Sequence, residues 1–225
     1  KASFVGSFKT KMVFICVLLF LAFFSQNIAK AKYASLIIDA KTGAELYSRN
    51  ANIKKFPASL TKIMTLYMVF DSLENRKWTL QKRLKVSRRA SRQPQTRLGL
   101  KRGSTITVKT AILALITRSA NDVATVVAEN MSGSEIKFAR AMTKKARKLG
   151  MVRTTFRNAS GLPNRRQLST ARDMAKLAIA IRKNFPEYYH FFKTKKFRYR
   201  GRTYRNHNML LGRYSGTDGV KTGYT

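Results

Sequence analysis

A Ser-x-x-Lys motif opens a helical pattern in the segment Pro57-Ala58-Ser59-Leu60-Thr61-Lys62-Ile63-Met64-Thr65. Apolar residues recur beyond it at spacings of three and four, which predicts a helix from about Ser59 to Asn75 with one apolar face. The spacing of three puts the Ser59 hydroxyl and the Lys62 amine on one face of that helix. A helix N-terminus also offers backbone N–H groups and a partial positive charge to a developing oxyanion. Ser59 and Lys62 are therefore candidates for nucleophilic catalysis.

The chain beyond this segment shows strand patterns at both ends and a long, mostly helical middle part. The predicted strands are 34–38 and 44–47, short strands within the loop-rich stretch 76–105, the hairpin 197–205, and 219–225. The predicted helices, besides the one at Ser59, lie in 107–131 with a break at 118–122, in 133–149, and from 169–173 to a point before Pro186. Strands followed by helices and then strands predict an α+β fold, an antiparallel sheet packed against a helical cluster.

Two further motifs, Ser-x-Asn and Lys-Thr-Gly, each occur more than once in the chain, and one copy of each is a candidate for the functional site. Ser119-Ala120-Asn121 lies at the break between two apolar helices, whereas its copies fall at 25–27 and at the end of the first hairpin, 48–50. Lys221-Thr222-Gly223 lies on the last predicted strand, whereas the copy at 41–43 is typical of a turn. A second Ser-x-x-Lys, at 134–137, reads as an ordinary helix cap.

The three motifs, in this order, resemble those of the low-molecular-mass penicillin-binding D-alanyl-D-alanine carboxypeptidases. The likeness extends to the stretches 158–162, 206–211 and 217–225, and it covers about residues 33–225. The resemblance implies a β-lactamase/transpeptidase-like fold. It also implies an acyl-enzyme reaction without a metal or a cofactor, which trims the terminal D-Ala of peptidoglycan stem peptides and is inhibited covalently by β-lactams.

The resemblance gives roles to three candidate catalytic residues. Ser59 would attack the carbonyl between two terminal D-alanines and form the acyl-enzyme. Lys62 would be the base, which requires a neutral amine. Burial and a neighbouring ammonium, for which Lys221 is the candidate, would lower its pKa. Ser119 could pass a proton to the leaving amine.

The resemblance also assigns residues to substrate binding. Asn121 could hold the acyl-side amide or the Lys62 amine. Lys221 and Thr222 would meet the terminal carboxylate, and the strand around Gly223 would pair with the extended peptide. The backbone N–H groups of Ser59 and Tyr224 would form the oxyanion hole.

Two enzymatic alternatives share the acyl-enzyme chemistry. A D,D-endopeptidase would differ only in what the cleft admits beyond the leaving D-Ala. A class A β-lactamase would need a Glu between the second and third motifs to activate water. Glu129, Glu135 and Glu187 lie in that interval, but none stands in the Glu-x-x-Leu-Asn pattern of those enzymes. The sequence therefore favours a peptidase that holds β-lactams for a long time.

The chain carries 46 Lys and Arg against 10 Asp and Glu, a net charge of +36 over 225 residues. The cations of 193–205 alternate with aromatic residues, as on nucleic-acid-binding surfaces. Because the charge is spread over the whole chain, we interpret this stretch as a hairpin with one charged face and predict no nucleic-acid partner. A non-catalytic basic protein is the remaining alternative.

We hypothesise that the high charge attracts anionic envelope polymers or lipid head groups. Binding to anionic vesicles or cell-wall sacculi should then weaken as salt rises, because counterions screen the attraction. Binding that is equal in low and high salt would contradict this.

The N-terminal residues read as a secretory signal peptide, 1–31. Lys9 and Lys11 precede an apolar run, 12–24, and an Ala-x-Ala ending stands at 29–31; an uncleaved anchor is the alternative. The catalytic domain would then be 32–225, exported to the periplasm or cell envelope of a bacterium. The single Cys16 precludes a disulfide framework. The family continues after Lys-Thr-Gly with further strands of the same sheet, so we expect this domain to be truncated at its C-terminus.

Overall fold

The computed structural model describes residues 33–223. The predicted signal peptide and Tyr224 lie outside the described residues. The α+β class is confirmed, because helices pack with small antiparallel ladders. Within the described range, the strands form three separate antiparallel pairs instead of one sheet. The pairs are β1 Ser35–Ile38 with β2 Glu45–Arg49, β3 Arg83–Lys85 with β4 Thr105–Thr107, and β5 Lys196–Tyr199 with β6 Arg202–Arg205.

Residues 219–223 do not form the predicted strand. A strand needs a hydrogen-bonded neighbour, and within residues 33–223 this segment makes no ladder. It lies instead against the turn that precedes the first long helix. A Cβ added to Gly223 would lie 3.4 Å from Leu60 Cγ and 3.7 Å from the Pro57 carbonyl oxygen, which is ordinary contact.

The helices of the described part begin and end close to their predicted positions. They are α1 Thr61–Glu74, α2 Arg88–Ser91, α3 Val108–Thr117, α4 Asn121–Ser132, α5 Glu135–Lys148, α6 Ala171–Asn184 and α7 Pro186–Tyr189, with 3₁₀ turns at Ala58–Leu60 and His190–Lys193. The short α2 and α7 were not predicted, because four residues are too few to show the apolar period of a helix. Helices α1, α3 and α4 form the centre of the core, and every residue from Asn121 to Ala128 is buried. Within residues 33–223, no helix combines the length and apolarity that crossing a membrane would require.

Side-chain caps mark the start of several helices, among them α5 and α6. Ser134 Oγ accepts a hydrogen bond from the Lys137 amide at 3.2 Å, so the second Ser-x-x-Lys is a helix cap, as predicted. Thr170 Oγ1 caps α6 in the same way, by accepting from the Asp173 amide at 3.0 Å. A cap leaves the serine or threonine oxygen committed to the backbone.

The first hairpin has the predicted turn, and the second has the predicted apolar face. In the first, Asp39 Oδ1 accepts from the amides of Lys41 and Thr42 at 2.9 and 2.7 Å, so the first Lys-Thr-Gly is a turn. In the second, Phe197 is buried and stacks on Tyr204, with ring centroids 5.5 Å apart. Arg198 and Arg205 are exposed on the opposite face, which confirms one apolar and one charged face.

Candidate active site

Ser59 lies in the tight turn that leads into α1. The turn is the 3₁₀ element Ala58–Leu60, and Ala58 has φ +44°, in the region that favours glycine. Gly161 packs directly against it: a Cβ added to Gly161 would lie 1.8 Å from the Ala58 carbonyl oxygen. Only glycine fits at this contact, so the loop around Gly161 supports the backbone that carries the Ser59 hydroxyl.

Lys62 is completely buried one helical turn after Ser59. Its Nζ donates to Asn121 Oδ1 at 2.8 Å and to the carbonyl oxygen of Ser160. Burial, with a smaller contribution from the positive charge of Lys221, lowers the pKa of Lys62 from 10.5 to about 7. A lysine with this pKa is neutral in a large fraction of molecules at neutral pH, as a general base must be.

The break between α3 and α4 presents the second motif. Ser119 is buried with φ +57°, and no group of the described residues hydrogen-bonds its Oγ. Its carbonyl accepts from Thr96 Oγ1 at 2.8 Å. Asn121 Nδ2 donates to the carbonyls of Pro94 and Gln95, both at 3.1 Å. Asn121 therefore joins the Lys62 amine to the loop 94–96, and the Ser119 hydroxyl is available.

The carboxylate of Asp122 fixes the loop that follows α2. It accepts from the amides of Leu98, Gly99 and Leu100 at 3.1, 2.9 and 3.1 Å, and also from that of Val123 at 2.9 Å. Its place directly after Ser119-Ala120-Asn121 indicates a helix cap after the break, and the three contacts with the loop go beyond that role. Its function in the structure is to hold one wall of the site.

The loop 158–162 forms the opposite wall. Asn158 Oδ1 accepts from the amides of Ser160 and Gly161 at 3.2 and 2.7 Å, which shapes the loop. The Thr65 hydroxyl donates to the Ala159 carbonyl at 2.7 Å. The carbonyl that Lys62 uses is thus held by a neighbouring network. The sequence likeness included this loop but did not identify its contact with Lys62.

Glu135 is a buried carboxylate that links the two walls. Its Oε2 accepts from Arg89 at 2.7 Å and its Oε1 from the Ala159 amide at 3.2 Å. Both oxygens are therefore engaged in structural hydrogen bonds. Glu135 is one of the three glutamates between the second and third motifs, where a class A β-lactamase carries the Glu that activates water. In this structure it stabilises the fold.

The Lys221–Gly223 segment closes the remaining side. Lys221 is largely buried, which lowers its pKa to about 8, and its Nζ donates to the Thr222 carbonyl at 2.7 Å. Thr222 is half-buried, and Gly223 contacts the Ser59 turn as described above. Tyr224 lies outside the described residues.

A cleft of about 520 Å³ runs beside the Ser59 hydroxyl. Its lining includes Ser59, Thr96, Asn121, Ser160, Leu162 and Arg165. Lys62 and Ser119 lie buried next to this lining, whereas Lys221 and Thr222 lie outside it and are joined to the turn through Gly223. The predicted residues within the described part are therefore gathered around one turn, from segments far apart in the sequence.

The fold and these three motif segments define the penicillin-binding, transpeptidase-like class. The family model described as D-alanyl-D-alanine carboxypeptidase, peptidase S11, matches residues 24–225, and the chain belongs to this family.

Several bacterial proteins are similar to this chain over most of its length. D-alanyl-D-alanine carboxypeptidase DacF of Bacillus subtilis is 34% identical over 210 residues, which cover 89% of this chain and 53% of DacF. DacC of Escherichia coli is 37% identical over 85% of this chain and 50% of its own length. A D-alanyl-D-alanine endopeptidase of Pseudomonas aeruginosa is 32% identical over 87% of this chain and 64% of its own. The chain spans about half the length of DacF and DacC.

Solved structures of penicillin-binding proteins share the fold. Penicillin-binding protein 6B from Escherichia coli matches with a TM-score of 0.80 at 32% identity, over 86% of this chain and 63% of that one. Penicillin-binding protein D2 from Listeria monocytogenes, in its ampicillin-bound form, matches with a TM-score of 0.77 at 30% identity, over 88% and 82%.

Proposed function

We propose that this chain provides the catalytic site of a serine-type D-alanyl-D-alanine carboxypeptidase, which removes the terminal D-alanine of peptidoglycan stem peptides. The observation that carries the proposal is the buried Lys62 amine, held by Asn121 Oδ1 and the Ser160 carbonyl beside the Ser59 turn. A pKa of about 7 makes this amine an effective proton acceptor near neutral pH. Membership of the carboxypeptidase family supports the same reaction.

Acylation in this proposal uses three side chains. Neutral Lys62 accepts the Ser59 proton while Ser59 Oγ bonds to the carbonyl carbon of the penultimate D-alanine. The tetrahedral oxyanion is stabilised by the backbone N–H groups of Ser59 and Tyr224. The bond to the terminal D-alanine then breaks, and Ser119 Oγ relays a proton to its departing amine. Water afterwards cleaves the ester and regenerates Ser59.

Substrate binding is proposed for the residues around this centre. Asn121 orients the Lys62 amine and the acyl-side amide, and Gly223 lies on the backbone that pairs with the extended peptide. Lys221 and Thr222 meet the terminal carboxylate. The partial burial that lowers the pKa of Lys221 also strengthens its attraction for that carboxylate, because a low dielectric increases Coulomb energies.

The cellular setting follows from the substrate. Peptidoglycan lies outside the cytoplasmic membrane, so we propose export to the periplasm or cell envelope, through a signal peptide at 1–31. The high positive charge would favour contact with anionic membrane or envelope polymers there. β-Lactams are proposed as covalent inhibitors, in keeping with the ampicillin-bound structure of a relative.

An endopeptidase is the second candidate, because the chain is also similar to the endopeptidase of Pseudomonas aeruginosa. The two activities differ in the leaving group. Release of free D-alanine from a stem pentapeptide, without cleavage of cross-linked dimers, would identify the carboxypeptidase.

The full-length protein is expected to form one stable benzylpenicillin adduct, on Ser59. Intact-mass spectrometry before and after incubation should show the adduct in the wild type and in Ser134→Ala, and none in Ser59→Ala. Ser134 is the matched control because it begins the other Ser-x-x-Lys and serves as a helix cap, whose loss costs about 1 kcal/mol. No adduct on the folded wild type, or an adduct on Ser59→Ala, would contradict the proposal. Rapid, sustained hydrolysis of nitrocefin would favour a β-lactamase.

A further inference from the structure

The cleft beside Ser59 faces the acyl part of the substrate, which stays bound to the serine when D-alanine leaves. Asn121, proposed above to hold the acyl-side amide, lines this cleft. Lys221 and Thr222, proposed to meet the leaving D-alanine, do not line it. The cleft therefore receives the residues that precede the two D-alanines, and the part of its lining that takes no part in the reaction can determine which peptides are accepted.

Apolar residues form one part of that lining. Phe56 comes shortly before the Ser59 turn, and 56% of its surface is exposed. Leu162 and Pro163 line the cleft from the loop that forms the other wall. An exposed aromatic residue beside a cleft is typical of a binding surface. A chain of methylene groups from the peptide would remove apolar surface from water by packing against these residues.

A tight turn follows this apolar part and presents two adjacent arginines. The Gln167 amide donates to the Asn164 carbonyl at 2.9 Å, so that Arg165 and Arg166 occupy the two central positions of the turn. Gln167 is buried, and its Oε1 accepts from the Asn158 amide at 3.0 Å, which fixes the base of the turn. Arg165 lines the cleft, whereas Arg166 does not.

Arg165 supplies the charge of this cleft. It is the one charged residue of the lining among residues 33–223, and the same described lining contains no carboxylate. Its guanidinium makes no ion pair or hydrogen bond with the part of the chain that the structure describes, since the ion pairs found there join other residues. The cleft thus combines an apolar stretch with one uncompensated positive charge.

We propose that this part of the cleft is a subsite for the side chain of the residue before the two D-alanines, and that Arg165 selects a side chain ending in a carboxylate over one ending in an ammonium group. The inference rests on the proposed function, because it concerns the same substrate. The planar guanidinium can donate two N–H groups side by side to both oxygens of a carboxylate. It also repels an ammonium group, so attraction and repulsion both contribute to the selection.

The test measures release of D-alanine by the full-length protein from three acetyl-X-D-Ala-D-Ala peptides. X is L-2-aminopimelic acid, lysine or norleucine, whose linear side chains end in a carboxylate, an ammonium and a methyl group. The ratio of kcat/KM between two peptides gives the selectivity. The matched control for Arg165→Gln is Arg166→Gln, because it removes the same charge from the neighbouring position of the same turn, outside the cleft lining.

The wild type should prefer the carboxylate peptide to the lysine peptide about tenfold, with norleucine between them, because exposed charge pairs contribute a few-fold each. The difference should lie in KM, since the contact is equal in the ground state and the transition state, and it should decrease as salt rises. Arg165→Gln should reduce the preference to about twofold, the part that the overall charge supplies. Arg165→Lys should retain most of the preference, Arg165→Glu should reverse it, and Arg166→Gln should keep the wild-type value.

D-Alanine release with the same preference in the wild type and in Arg165→Gln would overturn the subsite and leave the proposed function intact. An equal loss of preference in Arg165→Gln and Arg166→Gln would also overturn it, because the overall charge would then be the cause. If the wild type releases D-alanine from none of the peptides, the proposed function fails. The Kd values of the three peptides for Ser59→Ala, from calorimetry, should then still follow the same order, and equal values would overturn the subsite.

Discussion

Lys62→Met should slow acylation of Ser59 by about 10³-fold or more, because it removes the base that accepts the serine proton. Methionine has a similar length and fills the buried site without an amine. Residual acylation would come from the oxyanion groups and from substrate binding. The rate constant can be measured by quenching a reaction with labelled penicillin and following the covalent adduct.

The pH profile distinguishes a lost base from a distorted site. In the wild type, acylation should increase with pH through about 7, as Lys62 loses its proton, and decrease above about 8, as Lys221 loses its charge. Because the two lysines interact, both limbs belong to the pair. The residual acylation rate of Lys62→Met should no longer increase with pH near 7.

The matched control for Lys62→Met is Lys137→Met, in the Ser-x-x-Lys that only caps a helix. Lys137 is exposed, so its replacement should leave the acylation rate and the pH profile unchanged. A Lys62→Met protein that retains the lower limb would show that another group is the base.

Stability measurements add an independent readout of the Lys62 pKa. The unfolded chain binds a proton at Lys62 up to pH about 10.5, whereas the folded chain releases it near 7. Between these values the unfolded state holds more protons, so the free energy of unfolding increases with pH from about 7 to about 10.5. Below pH 7 both states are protonated and Lys62 adds no pH dependence. Lys62→Met should lose this increase.

Local patterns were sufficient to predict most of the helices and the two tight hairpins. The breaks at Gly133 and Gly150, the cap at Ser134 and the turn at Asp39 each arise from neighbouring residues, and each was found where the pattern placed it. The prediction of a strand at 219–225 was wrong over its described part, 219–223, because strand pairing depends on a distant partner and not on composition.

The partners of the site residues were harder to predict, for the same reason. The Ser160 carbonyl lies 98 residues from Lys62, and a backbone oxygen carries no sequence signal. Asp122 and Glu135 bind backbone amides of loops, which any residue could supply. The resemblance predicts which side chains share the site, whereas the folded chain shows which backbone groups Lys62, Asp122 and Glu135 contact.

The contact between Gly161 and Ala58 leads to the second large prediction. Gly161→Ala should reduce the free energy of unfolding by at least about 3 kcal/mol and abolish measurable acylation in the molecules that still fold. The added Cβ would lie 1.8 Å from the Ala58 carbonyl oxygen, 2.3 Å from its carbon and 3.0 Å from the Ser59 nitrogen. Backbone cannot yield as a flexible side chain can, so the Ser59 turn or the opposite wall must move.

Gly201→Ala separates this clash from the conformational cost of replacing a glycine. Gly161 and Gly201 both have positive φ, +89° and +76°, but a Cβ on Gly201 would meet nothing within 4 Å. The control should therefore lose only about 1–2 kcal/mol, the cost of a left-handed alanine, and should acylate at the wild-type rate. Urea denaturation and penicillin acylation of the three proteins give both quantities. Equal losses of stability in the two variants would mean that Gly161 serves only its own backbone conformation. A larger loss at Gly161, with acylation lost as well, would mean that the wall of the cleft positions the nucleophile through this one contact.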